Sequence, residues 1–276
     1  MNACRSILGM GLLAVMILLG MLSAESSESK NSLADFVRSI GKEKELECTV
    51  QVSKTAENLF SIRDTGSYFY HYLVLKPEVA ADAKIIRTGP IEFPLTCDRL
   101  VVITHGWIDK GRRDWSEDTA GQIARRTDPN EWICGFFDWQ DGSTVINPED
   151  AAKYARDIAG PRLAKAILSV AGRLEHVHLV GHSAGSWVIN SAARILSDKI
   201  AAEIHLTFLD AFVPAFWDQD QLGNLSGPSW NDHYYTRDLT FEVTQADLKH
   251  AHNVDITSAD PWFKDHEFPW RWYYAT

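Results

Sequence analysis

Cysteine and positive charge are the two things this chain is short of. Only 4 of its 276 residues are cysteine. One, Cys4, sits in an apolar leader, leaving Cys48, Cys97 and Cys134. That is too few for a disulfide-stapled scaffold or a cysteine-rich zinc module. Lys and Arg number 27 against 37 Asp and Glu, a net charge of −10. Without a basic surplus the chain cannot neutralise a phosphate backbone, which excludes nucleic acid as a partner, and it cannot dock on anionic lipid by charge alone. Internal repeats are absent, and low complexity is confined to one Ser/Glu-rich stretch after the leader. What is present is an ordinary globular mix, 45% hydrophobic and 23% charged, in a length that allows one large domain. Aromatic residues are plentiful, with 10 Trp, 12 Phe and 8 Tyr. They serve either a large core or an apolar site.

The first segment has a basic residue, Arg5, then an uncharged apolar run from Ser6 to Ala24, then the polar ESSESKNS. This pattern describes a secretory signal peptide cleaved after Ala24, with an N-terminal membrane anchor as the alternative because the run is long. Either reading exports the remainder. Residues 25–47 read as a polar lead-in, and 48–276 as the folded domain. An oxidising compartment permits a Cys48–Cys97 disulfide, while Cys134, inside WICGFFDW, reads as an inert core thiol.

Apolar runs predict strands at Tyr68–Leu75, Leu100–Thr104, Trp132–Asp138, His176–Gly181, Ile204–Leu209, Tyr234–Arg237 and Asn253–Thr257. Helical spacing predicts helices at Asp114–Arg126, Asp150–Ala171 and Ala184–Leu196, with Pro161 kinking or splitting the second. Strands that are almost continuously apolar suit a sheet covered on both faces. Their alternation with helices predicts an α/β fold with a mostly parallel central sheet and helices on both faces.

The strongest local signal is GHSAG, Gly181 to Gly185, between an apolar strand and an Ala- and Ile-rich helix. That is the context of a nucleophile elbow, in which Ser183 projects from a sharp strand-to-helix turn. The helix start offers free N–H groups to a developing oxyanion. One donor is the N–H of the residue after the nucleophile, Ala184. The other comes from a loop after an earlier strand, and VVITHGWIDKG, Val101 to Gly111, makes Trp107 the candidate. If the chain order is Ser, then acid, then His, the base is one of His233, His250, His252 and His266.

Taken in order, HGWIDKG, ICGFFDWQDGS, HVHLVGHSAG and FLDAFVP resemble the pancreatic lipase family of α/β-hydrolases over roughly residues 65–276. The resemblance implies an α/β-hydrolase fold and an exported serine esterase acting on lipid esters. It implies Asp210 as the acid, in the turn after the strand that follows the nucleophile helix, although Ala211 stands where proline is usual. Asp238 and Asp255 are rivals, because the acid in other α/β-hydrolases lies one strand later. It also implies His266 as the base, on a late loop before an aromatic-rich segment. The catalytic set is then Ser183, Asp210 and His266, with Trp107 and Ala184 as the oxyanion hole. This chemistry needs no metal and no cofactor. His176 and His178 share a strand face but show no third ligand for zinc. Asp218 and Asp220 match only loosely the region where lipases of this family hold calcium.

The sequence departs from the family in two ways. No cysteine lies between Asp210 and His266, so no disulfide-closed lid is expected; Phe216–Trp230 reads instead as a short lid or a cleft wall. The chain ends ten residues after His266, so a C-terminal lipid-binding β-sandwich is not expected either. The expected substrate is a lipid or small acyl ester, with contact to a lipid interface. Amides and thioesters suit the same three side chains, and a binding protein on a hydrolase fold is the non-enzyme alternative.

Overall fold

The computed structural model describes residues 49–66, 77–89, 91–93, 96–107, 114–170, 172–237, 244–260 and 266–276. The leader, the lead-in, Cys48 and the expected strand Tyr68–Leu75 lie outside the described residues.

The strands are β1 (Thr49–Lys54), β2 (Leu59–Asp64), β3 (Lys84–Thr88), β4 (Arg99–Thr104), β5 (Trp132–Asp138), β6 (His176–His182), β7 (Glu203–Leu209), β8 (Ser229–Tyr235) and β9 (His252–Asp255). They form one sheet in the order β3-β1-β2-β5-β4-β6-β7-β8-β9. β1 pairs antiparallel with β2 and parallel with β3. From β2 to β9 every pairing is parallel. The order reverses at β4: the chain goes from β4 to β5 on one side and later to β6 on the other. Such a switch point opens a crevice at the carboxyl ends of the strands, where α/β sheets bind their ligands.

The expected central strands appear within a residue or two, since their apolar runs are buried on both faces. The strand expected at Tyr234–Arg237 begins earlier, at Ser229, and that expected at Asn253–Thr257 ends earlier, at Asp255. β1, β2 and β3 were not expected. In β1 and β2 the buried residues alternate, Val50 and Val52 against exposed Gln51, and Phe60 and Ile62 against Arg63. Such a period of two marks half-buried strands as clearly as an apolar run marks a central one.

Helices α1 (Pro77–Ala81), α2 (Asp114–Arg126), α3 (Gln140–Ser143), α4 (Pro148–Tyr154), α5 (Gly160–Val170), α6 (Gly185–Ser197) and α7 (Phe268–Ala275) complete the described elements. The single helix expected at Asp150–Ala171 is α4 and α5 joined through a π-helical turn, Ala155–Ala159. Pro161 explains the join. It has no N–H to donate, and its ring crowds the carbonyl one turn back. The widened turn relieves that, with the Gly160 N–H reaching back to the Ala155 carbonyl. Asn147 caps α4, its side chain accepting the Glu149 N–H at 2.9 Å.

The pleat sends alternate side chains to two unequal layers. Leu100, Val102, Val177, Leu179, Ile204 and Leu206 meet α4, α5 and α6 in the main core. Val101, Ile103, Cys134, Val180 and Leu209 meet α2 and α7 in a smaller cluster capped by Trp115, Trp270 and Tyr273. Cys48, the partner considered for Cys97 in a disulfide, lies outside the described residues. Cys97 is a free, buried thiol whose Sγ–H donates to the Pro129 carbonyl at 3.2 Å.

Candidate active site

The end of β6 runs into α6 through Ser183 and Ala184 without room to spare. Ser183 has φ 54°, a left-handed backbone that costs a side-chain-bearing residue free energy and persists only where neighbours impose it. The constraint is visible at Gly185: a Cβ there would lie 2.3 Å from the His105 carbonyl oxygen. On the other side, a Cβ on Gly106 would lie 2.8 Å from the Ser183 Cβ. The β4 loop is thus pressed against the elbow. Backbone bonds tie the elbow to β7: the Ser183 N–H donates to the Leu209 carbonyl at 3.0 Å, and the Phe212 N–H to the Ser183 carbonyl at 3.3 Å.

Asp210 ends β7. It is fully buried and also left-handed, at φ 47°. One carboxylate oxygen accepts the Thr236 N–H at 2.9 Å. The other accepts from Nδ1 of His266. The opposite ring nitrogen of His266, Nε2, lies 2.8 Å from Ser183 Oγ. The three residues singled out in the sequence therefore meet in one line from carboxylate to imidazole to hydroxyl.

The rivals are elsewhere. Asp255 is half exposed and holds Arg237 at 2.8 Å, and Asp238 lies outside the described residues. His252 is exposed on β9. The His250 carbonyl accepts from the Asn231 side chain at 2.7 Å. His233 is fully buried and does a different job. Its Nε2 accepts the Ala211 N–H at 3.3 Å, so Nδ1 carries the proton toward Asn253 at 3.0 Å. It fixes the turn in which Asp210 sits, and burial holds it below the ordinary imidazole value. Trp187, fully buried in α6, fastens the same turn by donating its indole N–H to the Phe212 carbonyl at 2.7 Å.

The β4 loop is held by His105, also fully buried. The Trp139 N–H donates to His105 Nε2 at 3.1 Å, which leaves the proton on Nδ1 to be donated to the Gly106 carbonyl at 2.9 Å. In a trans peptide the N–H points opposite to the carbonyl. Holding the Gly106 oxygen therefore directs the Trp107 N–H away from His105. Among the described residues, neither the Trp107 N–H nor the Ala184 N–H donates to a backbone carbonyl. The Trp107 ring is anchored separately, its indole N–H donating to the Val145 carbonyl at 2.8 Å. Nothing in a lone His-Gly pair of the sequence reveals the tautomer.

Three further sequence features have the following surroundings. His178 stacks face to face on His205 at 3.8 Å, and His205 Nε2 lies 2.8 Å from an Asp232 oxygen. Burial first, then His205 and His176, push His178 well below the ordinary imidazole value. Asp218 closes a local turn and Asp220 pairs with Lys249 at 2.5 Å. Among the described residues, no three His, Cys, Asp or Glu side chains converge as a metal site. The segment between Phe216 and Trp230 is a packed wall rather than a flap: Leu222 is fully buried, the Gly223 N–H donates to Asn190 at 2.8 Å, and Ser229 already begins β8.

A buried serine on a strained strand-to-helix turn, at the switch point of a mostly parallel sheet, defines the α/β-hydrolase fold. Within it, the Lipase family profile matches residues 82–229, and the chain belongs to that family. It is 28% identical to pancreatic triacylglycerol lipase of Cavia porcellus over 142 residues, 50% of this chain and 28% of that one. It is 31% identical to pancreatic lipase-related protein 2 of Mus musculus over 118 residues, 41% and 23% of the two chains. The matched segment thus spans less than a third of these relatives' length. A solved structure described as esterase PE8 aligns at 16% identity and a TM-score of 0.40, over 61% of this chain and 88% of that one, too loosely to carry argument.

Proposed function

We propose that the protein is an exported serine carboxylic ester hydrolase of the lipase and esterase kind. The observation that carries this reading is the position of His266, with one ring nitrogen on Asp210 and the other on Ser183 Oγ. His266 takes the Ser183 proton as Oγ attacks the ester carbonyl carbon. Asp210, fully buried, orients the ring and stabilises the imidazolium that forms. The Ala184 and Trp107 N–H groups receive the oxyanion; losing one such donor typically costs about 10²–10³-fold in turnover. His266 then returns the proton to the departing alcohol, and water releases the acid from the acyl-enzyme by the same steps in reverse.

Lipid substrates are supported by membership of the Lipase family and by two side chains near the carboxyl ends of the strands. Phe216 is 107% and Ile146 96% exposed. Phe216 is held at φ 69°, in the loop after Asp210. Such side chains gain about 1.5–3 kcal/mol each on leaving water. An acidic chain carrying them suits a neutral or zwitterionic lipid interface rather than an anionic one. Export rests on the leader, residues 1–24. No helix among the described residues is long and apolar enough to cross a membrane.

The test is hydrolysis of p-nitrophenyl esters by the purified chain. The parent turns them over, and Ser183→Ala lowers kcat by about 10⁶-fold, to the residual rate of a site without its nucleophile. A silent parent, or an active alanine variant, sinks the reading. Esters of increasing chain length, assayed below and above the concentration at which they form an interface, separate lipase from esterase behaviour.

A further inference from the structure

The base has a problem that its two catalytic partners do not solve. Ser183 and Asp210 hold the His266 ring, but the His266 backbone lies in a turn before α7, not in a strand or helix. A ring is only as well placed as the Cα that carries it. We propose that His182, the residue before the nucleophile, is the positioning residue for the base. This rests on the ester hydrolase reading given above.

The pleat of β6 decides where His182 points. It lies on the same face as His176, His178 and Val180, toward α2 and α7. It is 6% exposed, and its Nε2 is 2.9 Å from the His266 carbonyl oxygen. A carbonyl only accepts, so Nε2 carries the proton. The two imidazole rings lie 4.8 Å apart, tilted by 39°. Trp115 of α2 meets the His182 ring edge-on at 6.2 Å and 89°, and stacks on Trp270 of α7 at 5.3 Å and 21°. His182 is thereby held between the base and a tryptophan, and that tryptophan also holds the helix that follows the base.

Nucleophile and base are therefore joined twice. One link is the catalytic hydrogen bond between side chains. The other runs from the side chain next to Ser183 to the main chain of His266, and it stays in place while the proton moves. A group misplaced by about 1 Å loses on the order of 10²-fold in rate. The second link is a positioning contact of that kind.

The experiment compares His182→Leu, which removes the donor while keeping an apolar side chain of middling size, with His182→Gln, whose amide N–H reaches near the Nε2 position. Steady-state kinetics on a soluble ester, thermal unfolding and the low-field NMR signal of the His266 Nδ1–H shared with Asp210 are measured on each. The expected result is a fall of about 10–10²-fold in kcat for the leucine variant, with KM and unfolding midpoint near the parent's and the low-field signal lost. The glutamine variant recovers most of kcat and the signal. A folded leucine variant with the parent's kcat and signal overturns the role. If the leucine variant does not fold, the glutamine variant decides: near-parent kcat supports the role, and a folded glutamine variant that has lost activity overturns it. A parent without turnover refutes the ester hydrolase reading itself, a different outcome from an active parent indifferent to residue 182.

Discussion

The two faces of the sheet are built from different chemistry. The face under α4, α5 and α6 is the larger and the more completely buried: the small residues Ala151, Ala155, Ala159, Ala164 and Ala192 and the rings of Phe137, Trp139, Tyr154, Trp187 and Phe208 are all fully buried. Its most polar element, the Arg162–Asp64 pair, is itself fully buried and closed by the Tyr154 hydroxyl and the Ala80 carbonyl. The face under α2 and α7 has a small aliphatic cluster and is otherwise aromatic and histidine-bearing: Trp115, Trp270, Tyr273 and Tyr234, with His176, His178 and His182 along one strand. On the first face small side chains let helices approach the strands, beside rings that are wholly enclosed. The second face is smaller, its rings Trp132, Phe136, Tyr234, Trp270 and Tyr273 are only partly buried, and His266 meets it through His182.

That division can be broken in three places, from the largest expected effect to the smallest. Arg162→Met strands Asp64 as a buried charge and is expected to lower unfolding free energy by about 3–5 kcal/mol. Turnover per folded molecule should stay at the parent's level, and urea unfolding alongside active-site titration checks both. A matching loss of kcat would show that the buried pair also governs alignment. Acid is expected to loosen the other face. His178 is held well below the imidazole value of 6.5 by burial and by His205, so the unfolded chain takes up a proton that the folded chain refuses. Stability from this group is complete above pH 6.5 and declines as pH falls below it. His178→Phe should flatten the slope of unfolding free energy against pH in that range, and an unchanged slope would contradict it. The smallest effect is expected at Cys134, which packs between β5 and α2 with its thiol pushed up to about 11, first by burial. A neutral-pH alkylating reagent should leave it unmodified until the chain unfolds, and Cys134→Ala should cost about 1 kcal/mol without changing kcat.

The same contrast governs what was legible beforehand. Central strands announce themselves as apolar runs, and the elbow as two glycines around a serine between a strand and a helix. Asp210 and His266 are candidates through chain order and the family's pattern, and their meeting in space was not visible in the letters. Less was legible where the signal is spread across distant residues. β1 and β2 carry an alternation that is plain in TVQVSK and LFSIRD once sought. α7 carries little helical periodicity because FPWRWYYA is aromatic throughout, although Pro269 in its first turn is a common helix-start position. His105, His182 and His233 were visible as letters, but their protonated nitrogens depend on partners some tens of residues away. No local pattern encodes those.

The switch point at β4 has a further consequence, for how such a chain can change. The segments after β4, β5 and β7 supply Trp107, Ile146 and Phe216, and all leave the sheet at its carboxyl edge. Each is fastened at its root: by His105, by the Trp107 indole on Val145, and by Trp187. Beyond those roots a loop can lengthen or exchange residues without altering the register of any strand. The tips of these loops can therefore vary while their roots stay fixed, and a designer altering what the carboxyl edge of the sheet binds would graft tips and leave the roots alone.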